Sequence, residues 1–247
     1  MSPSTKSDVP SENSLKEPSL EDAIERFRSQ DAANYFTRFP DARQKFFSDE
    51  SNRGEAAVLV PLIYDQDQWR MMMTVRAKHL RSQAGYVAFP GGKFDDQDVD
   101  LRTTALREAH EEIGLPPNQV QVISQLPPLV APNRHFVTPY VGLIPPTFVP
   151  TPDASEVAET FTAPARNFTQ SRHHSCRWIE FRNRPFLLHA FDIPGLAGRH
   201  PFMGMSAKLA IVTAAVLYNR KPSFEVDPAF DISDISRGMY DIYFGKG

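Results

Sequence analysis

Residues 89–115 read FPGGKFDDQDVDLRTTALREAHEEIGL. A proline and two glycines at 90–92 predict a tight turn, and an acidic loop follows it. Asp100 is a suitable N-cap for a helix over 101–113, and Gly114 suits the C-terminus of that helix. The stretch therefore predicts a glycine turn, an acidic loop and a helix rich in carboxylates.

The predicted helix carries three glutamates on one face. Residues three and four apart are neighbours on a helix, so Glu108 lies one turn before Glu111 and Glu112. Like charges at this spacing repel, whereas Mg²⁺ and Mn²⁺ favour oxygen ligands. Glycine in the preceding turn allows close approach of the backbone to a ligand. Two interpretations remain: a solvated helix face on which Arg107 pairs with Glu111, or a metal site.

The second half of this stretch resembles the Nudix box, which is written G-x5-E-x7-R-E-U-x-E-E-x-G-U with U aliphatic. Residues 107–115 match that half if Ala109 counts as a small aliphatic residue. The first half departs from the pattern. Counted from Gly92, Asp98 stands where Glu is expected, and the next spacer is one residue longer. An acidic variant of this kind is common in family members of the coenzyme A type.

A second motif resembles the same branch of the family. Coenzyme A-type members carry L-L-T-x-R-[S/A]-x3-R-x3-G-x3-F-P-G-G, and residues 72–92 read MMTVRAKHLRSQAGYVAFPGG. Methionines replace the leucine pair, and Gln83 and Tyr86 stand where many members have His and Gln. The segment LPPLVAPNRHFVTPYVGLIPP at 126–146 and the MGMSAK helix start also resemble this branch, so the resemblance spans roughly residues 53–220.

The resemblance implies an α/β fold, specifically a Nudix-type α/β/α sandwich with a mixed β-sheet between helices. It also implies metal-dependent hydrolysis of the diphosphate bond of coenzyme A and its acyl or disulfide derivatives, with Mg²⁺ or Mn²⁺ as cofactor. The products are then 3′,5′-ADP and 4′-phosphopantetheine or its derivative. The implied partner is a small-molecule substrate, with no nucleic acid and no membrane.

The family resemblance implies a role for each matching residue of this sequence. The metal ligands are expected to be Glu108, Glu111 and Glu112, with Arg107 orienting the glutamates. In family members the general base is either a Glu of the box or a carboxylate outside it, and here Glu108 ranks first and Glu156 second. The expected substrate-binding residues are Thr74, Arg76, Arg81, Gly91 and Gly92.

The segment 74–86 concentrates positive charge in a chain that is acidic overall. Coenzyme A has a 3′-phosphate that simpler dinucleotides lack, and arginine suits bidentate contact with phosphate. We therefore expect Arg76 and Arg81 to recognise the substrate. The alternative is a solvated strand end, which is the favoured interpretation for Lys78 and His79.

Three functional alternatives stay open. The same chemistry could act on an oxidised nucleoside triphosphate or on a dinucleotide sugar. A Nudix domain could also have lost catalysis and serve as a nucleotide-binding module. Retention of Arg107 and the three box glutamates argues against that last alternative.

The rest of the chain divides into a core and extensions. We predict a disordered tail at 1–18, a helical N-terminal extension at 19–52, the Nudix domain at 53–222 and a C-terminal tail at 223–247. A capping box starts the first helix at Ser19. The other predicted helices cover 41–47, 101–113, 153–162 and 205–218, and the predicted strands cover 56–64, 69–75, 86–89, 120–126, 137–144, 177–181 and 186–191.

Composition limits the possible functions. The net charge of −3 argues against a generally basic nucleic-acid binder. The single cysteine, Cys176, excludes an internal disulfide framework, and no apolar run is long enough to span a bilayer. No signal peptide is legible, and the chain ends in Gly245-Lys246-Gly247 rather than a Ser-Lys-Leu address. We expect a cytoplasmic or peroxisomal location.

Overall fold

The computed structural model describes residues 15–48, 54–131, 134–181, 183–193 and 200–244. Residues 1–14 of the predicted N-terminal tail, 49–53 at the junction of the predicted extension and Nudix domain, and 245–247 of the predicted C-terminal tail lie outside the described residues. The helices are α1 (Leu20–Ser29), α2 (Tyr35–Arg38), α3 (Asp41–Phe47), α4 (Leu101–Ile113), α5 (Met205–Tyr218) and α6 (Ile235–Phe244). The strands are β1 (Gly54–Asp65), β2 (Gln68–Arg76), β3 (Val87–Ala88), β4 (Gly91–Lys93), β5 (Gln121–Gln125), β6 (Leu129–Val130), β7 (His135–Leu143), β8 (Val157–Pro164), β9 (His174–Phe181), β10 (Arg184–Phe191) and β11 (Phe202–Met203).

The long strand β1 is the centre of the main sheet. It forms the predicted hairpin with β2, and Gln66 and Asp67 turn that hairpin with positive φ angles. On its other side β1 pairs in parallel with β7, whereas its pairing with β4 is antiparallel. The sheet runs in the order β3-β2-β1-β7-β5, with β4, β6 and β8 attached to β1, β7 and β2. A mixed sheet is thereby confirmed.

Helices cover both faces of this sheet because β1 is apolar on both of its faces. Ala57, Leu59 and Ile63 belong to one hydrophobic cluster with residues of α4. Their neighbours Val58, Val60 and Leu62 belong to the other large cluster, which contains most of α5. Alternate residues of a strand point to opposite faces, so α4 and α5 lie on opposite sides. The α/β/α sandwich is confirmed.

The terminal helices add a smaller layer. Ser19 caps α1 as predicted, since the backbone N–H of Asp22 donates to Ser19 Oγ at 3.1 Å. The C-terminal helix α6 was not predicted, because the sequence around it is polar and rich in turns. It packs on the N-terminal extension, with the rings of Phe39 and Tyr240 stacked at 4.6 Å. No helix in the described ranges is long and apolar enough to cross a membrane.

The helix predicted at 153–162 is wrong. Residues 154–156 form a turn, and β8 follows and pairs with β2 along its length. The Ala and Glu residues of this segment favour helix locally, but Thr160, Phe161 and Thr162 fit a strand. Pairing with β2 is a non-local interaction, and it overrides the weak local preference.

Candidate active site

The glycine turn is fixed by its pairing with β1. Gly91 lies opposite Val58 and Gly92 opposite Ala57. A Cβ on Gly91 would stand 2.4 Å from the carbonyl oxygen of Ala57, so that position accepts only glycine. The turn is thereby held against the centre of the sheet, directly beside the carboxylate-bearing helix.

Helix α4 begins and ends as the sequence predicts. The carboxylate of Asp100 accepts the N–H of Thr103 at 2.7 Å, and Gly114 ends the helix with φ 69°. The three box glutamates differ in environment. Glu112 is only 4% exposed, Glu108 is partly buried, and the side chain of Glu111 is 51% exposed.

A buried ion pair anchors Arg107. The Asp98 side chain is 2% exposed and accepts Arg107 Nε at 2.9 Å and Nη2 at 3.0 Å. Arg107 Nη1 then reaches both Glu108 Oε1 and Glu111 Oε2 at 3.0 Å. Hydrogen bonding to Arg107 is the main reason why the pKa of Asp98 falls to about 2. Asp98, whose role the sequence left open, therefore positions the arginine that holds two glutamates.

A cleft of about 400 Å³ opens beside α4 and the glycine turn. Six predicted site residues line it: Arg76, Gly91, Gly92, Glu108, Glu112 and Glu156. The remaining lining residues are Ala56, Val58, Ser82, Gln83, Ala88, Phe89, Lys93, Ala131, His135, Val137, Met205, Ser206 and Leu209. The cleft therefore combines three carboxylates and two basic side chains with an apolar wall.

Burial changes the acidity of the cleft carboxylates. It raises the pKa of Glu112 to about 8, and the nearby charge of Glu108 adds to this effect, whereas Arg76 opposes it. Burial also raises the pKa of Glu108, although Arg107 works in the opposite direction. A cation between these oxygens would offset both the desolvation and the repulsion. The donor set thus suits a hard divalent ion.

The predicted trio of metal ligands is not assembled in this structure. Within the described parts of the chain, no group of three His, Cys, Asp or Glu side chains is placed to hold a metal ion. Glu108 and Glu112 line the cleft, but Glu111 lies outside the lining and bonds to Arg107. Their joint role as ligands stays a prediction.

The predicted substrate-binding residues separate into two groups. Arg76 lines the cleft, and its Nε is buried without a hydrogen-bond partner among the described residues. Thr74 is buried within β2 and donates to the carbonyl of Ala88 at 3.2 Å, outside the cleft lining. Arg81 is exposed in the loop at 77–85 and also stands outside the lining.

Several lining residues were not predicted as site residues. Ser82 and Gln83 come from the loop after β2, and Met205, Ser206 and Leu209 come from the start of α5. The MGMSAK resemblance was the only sequence signal for this second group. His135 also lines the cleft, at the start of β7.

The remaining histidines and the cysteine do not join the cleft lining. His174 stacks on Phe224 at 3.6 Å and shares a 3.0 Å hydrogen bond with His189. Cys176 lies on β9 and contacts Glu225 at 3.9 Å. These residues therefore belong to the packing of the three-stranded sheet formed by β9, β10 and β11.

Comparison with known proteins gives a consistent result. Residues 54–183 match the NUDIX domain. The chain is 37% identical over 218 residues to the peroxisomal coenzyme A diphosphatase NUDT7 of Mus musculus, covering 87% of this chain and 86% of that protein. It is 42% identical over 142 residues to the uncharacterized Nudix hydrolase NudL of Enterobacter sp. (strain 638), covering 57% of this chain and 73% of that protein.

A solved structure was also matched. It is the MutT/nudix family protein from Enterococcus faecalis, with a TM-score of 0.42 and 13% identity over 87% of this chain and 85% of that chain. The match over residues 54–183 and the 37% identity over 87% of the chain show that this protein belongs to the Nudix hydrolase family.

Proposed function

We propose that this protein hydrolyses the diphosphate bond of coenzyme A and its derivatives, releasing 3′,5′-ADP and 4′-phosphopantetheine or its derivative. The observation that carries the proposal is one cleft, behind the Gly91-Gly92 turn, that holds three carboxylates and the guanidinium of Arg76. The 37% identical mouse relative is named as a coenzyme A diphosphatase, which supports the choice of substrate.

Nudix hydrolases use divalent metal ions. We propose Mg²⁺ or Mn²⁺ here, held by Glu108 and Glu112, with Glu111 as a third ligand once it leaves its ion pair with Arg107. A bound ion would neutralise the diphosphate, polarise its phosphorus and lower the pKa of coordinated water. The carboxylate oxygens of Glu108 and Glu112 suit these ions. Burial raises the pKa of both side chains, and a bound cation would lower it again.

The side chains of this chain supply the rest of the mechanism. Arg107, fixed by Asp98, holds the carboxylate of Glu108 in place. Glu108, or Glu156 in the same cleft lining, takes the proton from the attacking water. The new bond joins the water oxygen to phosphorus, and the bond from that phosphorus to the bridging oxygen breaks. Arg76 contacts the phosphate oxygens as negative charge builds up on the leaving group.

Product analysis tests this proposal. The purified chain is incubated with Mg²⁺ or Mn²⁺ and, separately, with coenzyme A, dephospho-coenzyme A, an oxidised nucleoside triphosphate and a dinucleotide sugar. We expect 3′,5′-ADP and 4′-phosphopantetheine from coenzyme A at the highest kcat/KM. Glu112→Gln, which removes the charge at nearly constant shape, should abolish most of this activity.

The other outcomes separate the alternatives. Faster cleavage of the oxidised nucleotide or the dinucleotide sugar would move the assignment to a different Nudix substrate. No cleavage of any compound, together with measurable binding of coenzyme A, would favour a silent binding module. A Glu112→Gln variant at the parental rate across metal concentrations would contradict the ligand assignment.

We also propose a peroxisomal location, supported by the 37% identity to the peroxisomal mouse relative. Imaging of the full chain with a fluorescent tag, placed in turn at each terminus, tests it against a peroxisomal marker. Diffuse fluorescence with both tags would favour the cytoplasmic alternative.

A further inference from the structure

The loop at 77–85 connects β2 to β3 beside the cleft. Its two ends are joined by backbone hydrogen bonds: the N–H of Gly85 donates to the carbonyl of Arg76, and the N–H of Arg76 donates to the carbonyl of Tyr86, both at 3.0 Å. The N–H of Ala77 also donates to the carbonyl of Glu156 at 2.8 Å. The base of the loop is therefore closed and tied to the segment that carries a cleft carboxylate.

The tip of this loop carries backbone strain where it meets the cleft. Ser82 and Gln83 line the cleft, and Gln83 has φ 52°, in the left-handed region. Residues other than glycine occupy this region sparsely, and such a conformation persists only when the surrounding structure holds it. A strained residue that faces a substrate cleft calls for an identifiable support.

His200 is a support of that kind. Its Nδ1 lies 3.2 Å from the carbonyl oxygen of Gly85, two residues after Gln83. Since a carbonyl oxygen only accepts, this contact requires the proton on Nδ1. The imidazole side chain is only 10% exposed, and its Nε2 lies 3.7 Å from a carboxylate oxygen of Glu159 on β8.

The next residue strengthens the same attachment. The carbonyl of Pro201 accepts the N–H of Val87 at 2.9 Å, which ties the segment before β11 to the start of β3. His200 and Pro201 thus hold two successive points at the C-terminal end of the loop. The segment that does this leads directly into β11 and then α5, which supplies Met205 and Ser206 to the cleft lining.

We propose that His200 is a positioning residue for substrate binding. By holding the Gly85 carbonyl it fixes the strained backbone that presents Gln83 to the cleft. Gln83 in turn contacts the part of the substrate that is not hydrolysed. The identity of the substrate, coenzyme A, rests on the proposed function. The contact by which His200 holds the loop at 77–85 does not depend on it.

Three variants separate this role from general packing. His200→Ala removes the donor to Gly85, whereas His200→Asn keeps a donor close to the position of Nδ1. Glu159→Gln leaves the Gly85 contact in place and removes only the charge near Nε2. A net hydrogen bond corresponds to roughly a 3- to 10-fold effect, so His200→Ala should raise KM for coenzyme A by about that factor with kcat little changed. His200→Asn should recover most of the loss, and Glu159→Gln should leave KM within about twofold of the parent.

Coupling to Gln83 is tested in a second background. Gln83→Gly removes the side chain and relieves the left-handed strain. Once no Gln83 side chain remains to be positioned, His200→Ala should change KM much less than it does in the parent. Fully additive effects of the two changes would contradict a role for His200 through Gln83.

Hydrogen–deuterium exchange gives a readout that does not depend on activity. The amides of Gly85, Tyr86 and Val87 are all hydrogen-bonded, so they should exchange faster in His200→Ala and return towards the parental rate in His200→Asn. Unchanged exchange would overturn the hold on the loop, whatever the substrate is. Faster exchange with an unchanged KM would overturn the role in substrate binding. If exchange is faster in His200→Ala than in the parent but the parent does not cleave coenzyme A, the proposed function and the identity of the substrate are contradicted. The role of His200 in holding the loop is then still supported.

Discussion

The carboxylate of Glu108 occupies the space that a side chain at residue 92 would need, since a Cβ on Gly92 would stand 2.4 Å from Glu108 Oε1. At Gly91 the obstacle is different, because a Cβ there would stand 2.4 Å from the backbone oxygen of Ala57. A side-chain carboxylate can move aside, whereas the backbone of a central strand cannot. The two adjacent glycines are therefore required for different reasons.

Alanine substitutions at Gly91 and Gly92 should have different effects, one on stability and the other on catalytic activity. Gly92→Ala should displace the Glu108 carboxylate and lower kcat by about 10²-fold, with little change in melting temperature. Gly91→Ala should strain β1 and destabilise the fold by roughly 1–3 kcal/mol. Steady-state kinetics and thermal unfolding of both variants test this. Parental kcat in Gly92→Ala, or parental stability in Gly91→Ala, would contradict the assignment.

Asp98→Asn tests the anchor of Arg107. The variant keeps the shape of the side chain but loses the charge that accepts two guanidinium hydrogen bonds. We expect a stability loss of about 1–3 kcal/mol and a clear fall in kcat, because Arg107 is then free to leave Glu108. The matched control is Asp96→Asn, an exposed residue of the same acidic loop. Equal kcat in the two variants would show that Asp98 does not act through Arg107.

The sequence predicted the elements whose signals are local. Helix α4 has its cap and its terminal glycine, and the β1–β2 hairpin has two apolar runs around a polar turn. The strand β8 was missed because its pairing with β2 depends on residues more than 80 positions away. The helix α6 was missed because its burial depends on the N-terminal extension.

The sequence predicted which helix carries the candidate site, but not which of its side chains enter the cleft. From sequence spacing alone, the adjacent residues Glu111 and Glu112 are expected on the same helix face. The structure separates them, since Glu112 points into the buried cleft and Glu111 pairs with Arg107 at 3.0 Å. Sequence spacing likewise does not separate Arg76, which ends β2 and lines the cleft, from Arg81, which lies on the loop at 77–85 outside the lining.

Glu156→Gln tests the second candidate for the general base. Glu156 lines the cleft, and its charge adds to the raised pKa of both Glu108 and Glu112. If Glu156 takes the proton, its loss should lower kcat by about 10²–10⁴-fold with the fold intact. Glu159→Gln, three residues further along in β8 and outside the cleft lining, should keep the parental kcat. A parental kcat in Glu156→Gln would leave Glu108 as the sole candidate.

The pair His174 and His189 predicts acid sensitivity. Burial lowers the pKa of His174 from its ordinary 6.5 to about 4 and that of His189 to about 3, and the charge of Lys208 contributes at His189. Below pH 6.5 the two histidines bind protons in the unfolded chain but stay neutral in the folded chain. The free energy of unfolding is therefore highest above this pH and decreases as the pH falls. The loss should be on the order of 1 kcal/mol or more by pH 5.

Urea unfolding between pH 7.5 and 5 measures this dependence. His189→Gln keeps a polar partner for His174 and should reduce the slope of stability against pH. His110→Gln, which changes an exposed histidine on α4, should keep the parental slope. Identical slopes in the parent and His189→Gln would mean that this pair does not cause the acid sensitivity.

Arg76 and Arg81 should act on different parts of the substrate. Arg76 lines the cleft, with its Nε buried and without a partner among the described residues. It also lies close enough to Glu112 for its charge to oppose the rise in the pKa of that carboxyl. It is therefore placed to meet the diphosphate. Arg81 is exposed on the loop, so it can only meet a group that extends out of the cleft, such as the 3′-phosphate.

This difference predicts two patterns of kcat/KM. A desolvated, charge-assisted contact is worth roughly 1.5–3 kcal/mol, or about 10–150-fold. Arg76→Ala should lower kcat/KM by about that factor for both coenzyme A and dephospho-coenzyme A, whereas Arg81→Ala should lower it for coenzyme A alone and so remove the preference between the two. Lys78→Ala, in the same loop and also exposed, is the matched control and should preserve that preference. Equal kcat/KM for the two substrates in the parent would contradict recognition of the 3′-phosphate, and an equal loss on both substrates in Arg81→Ala would place Arg81 at the diphosphate instead.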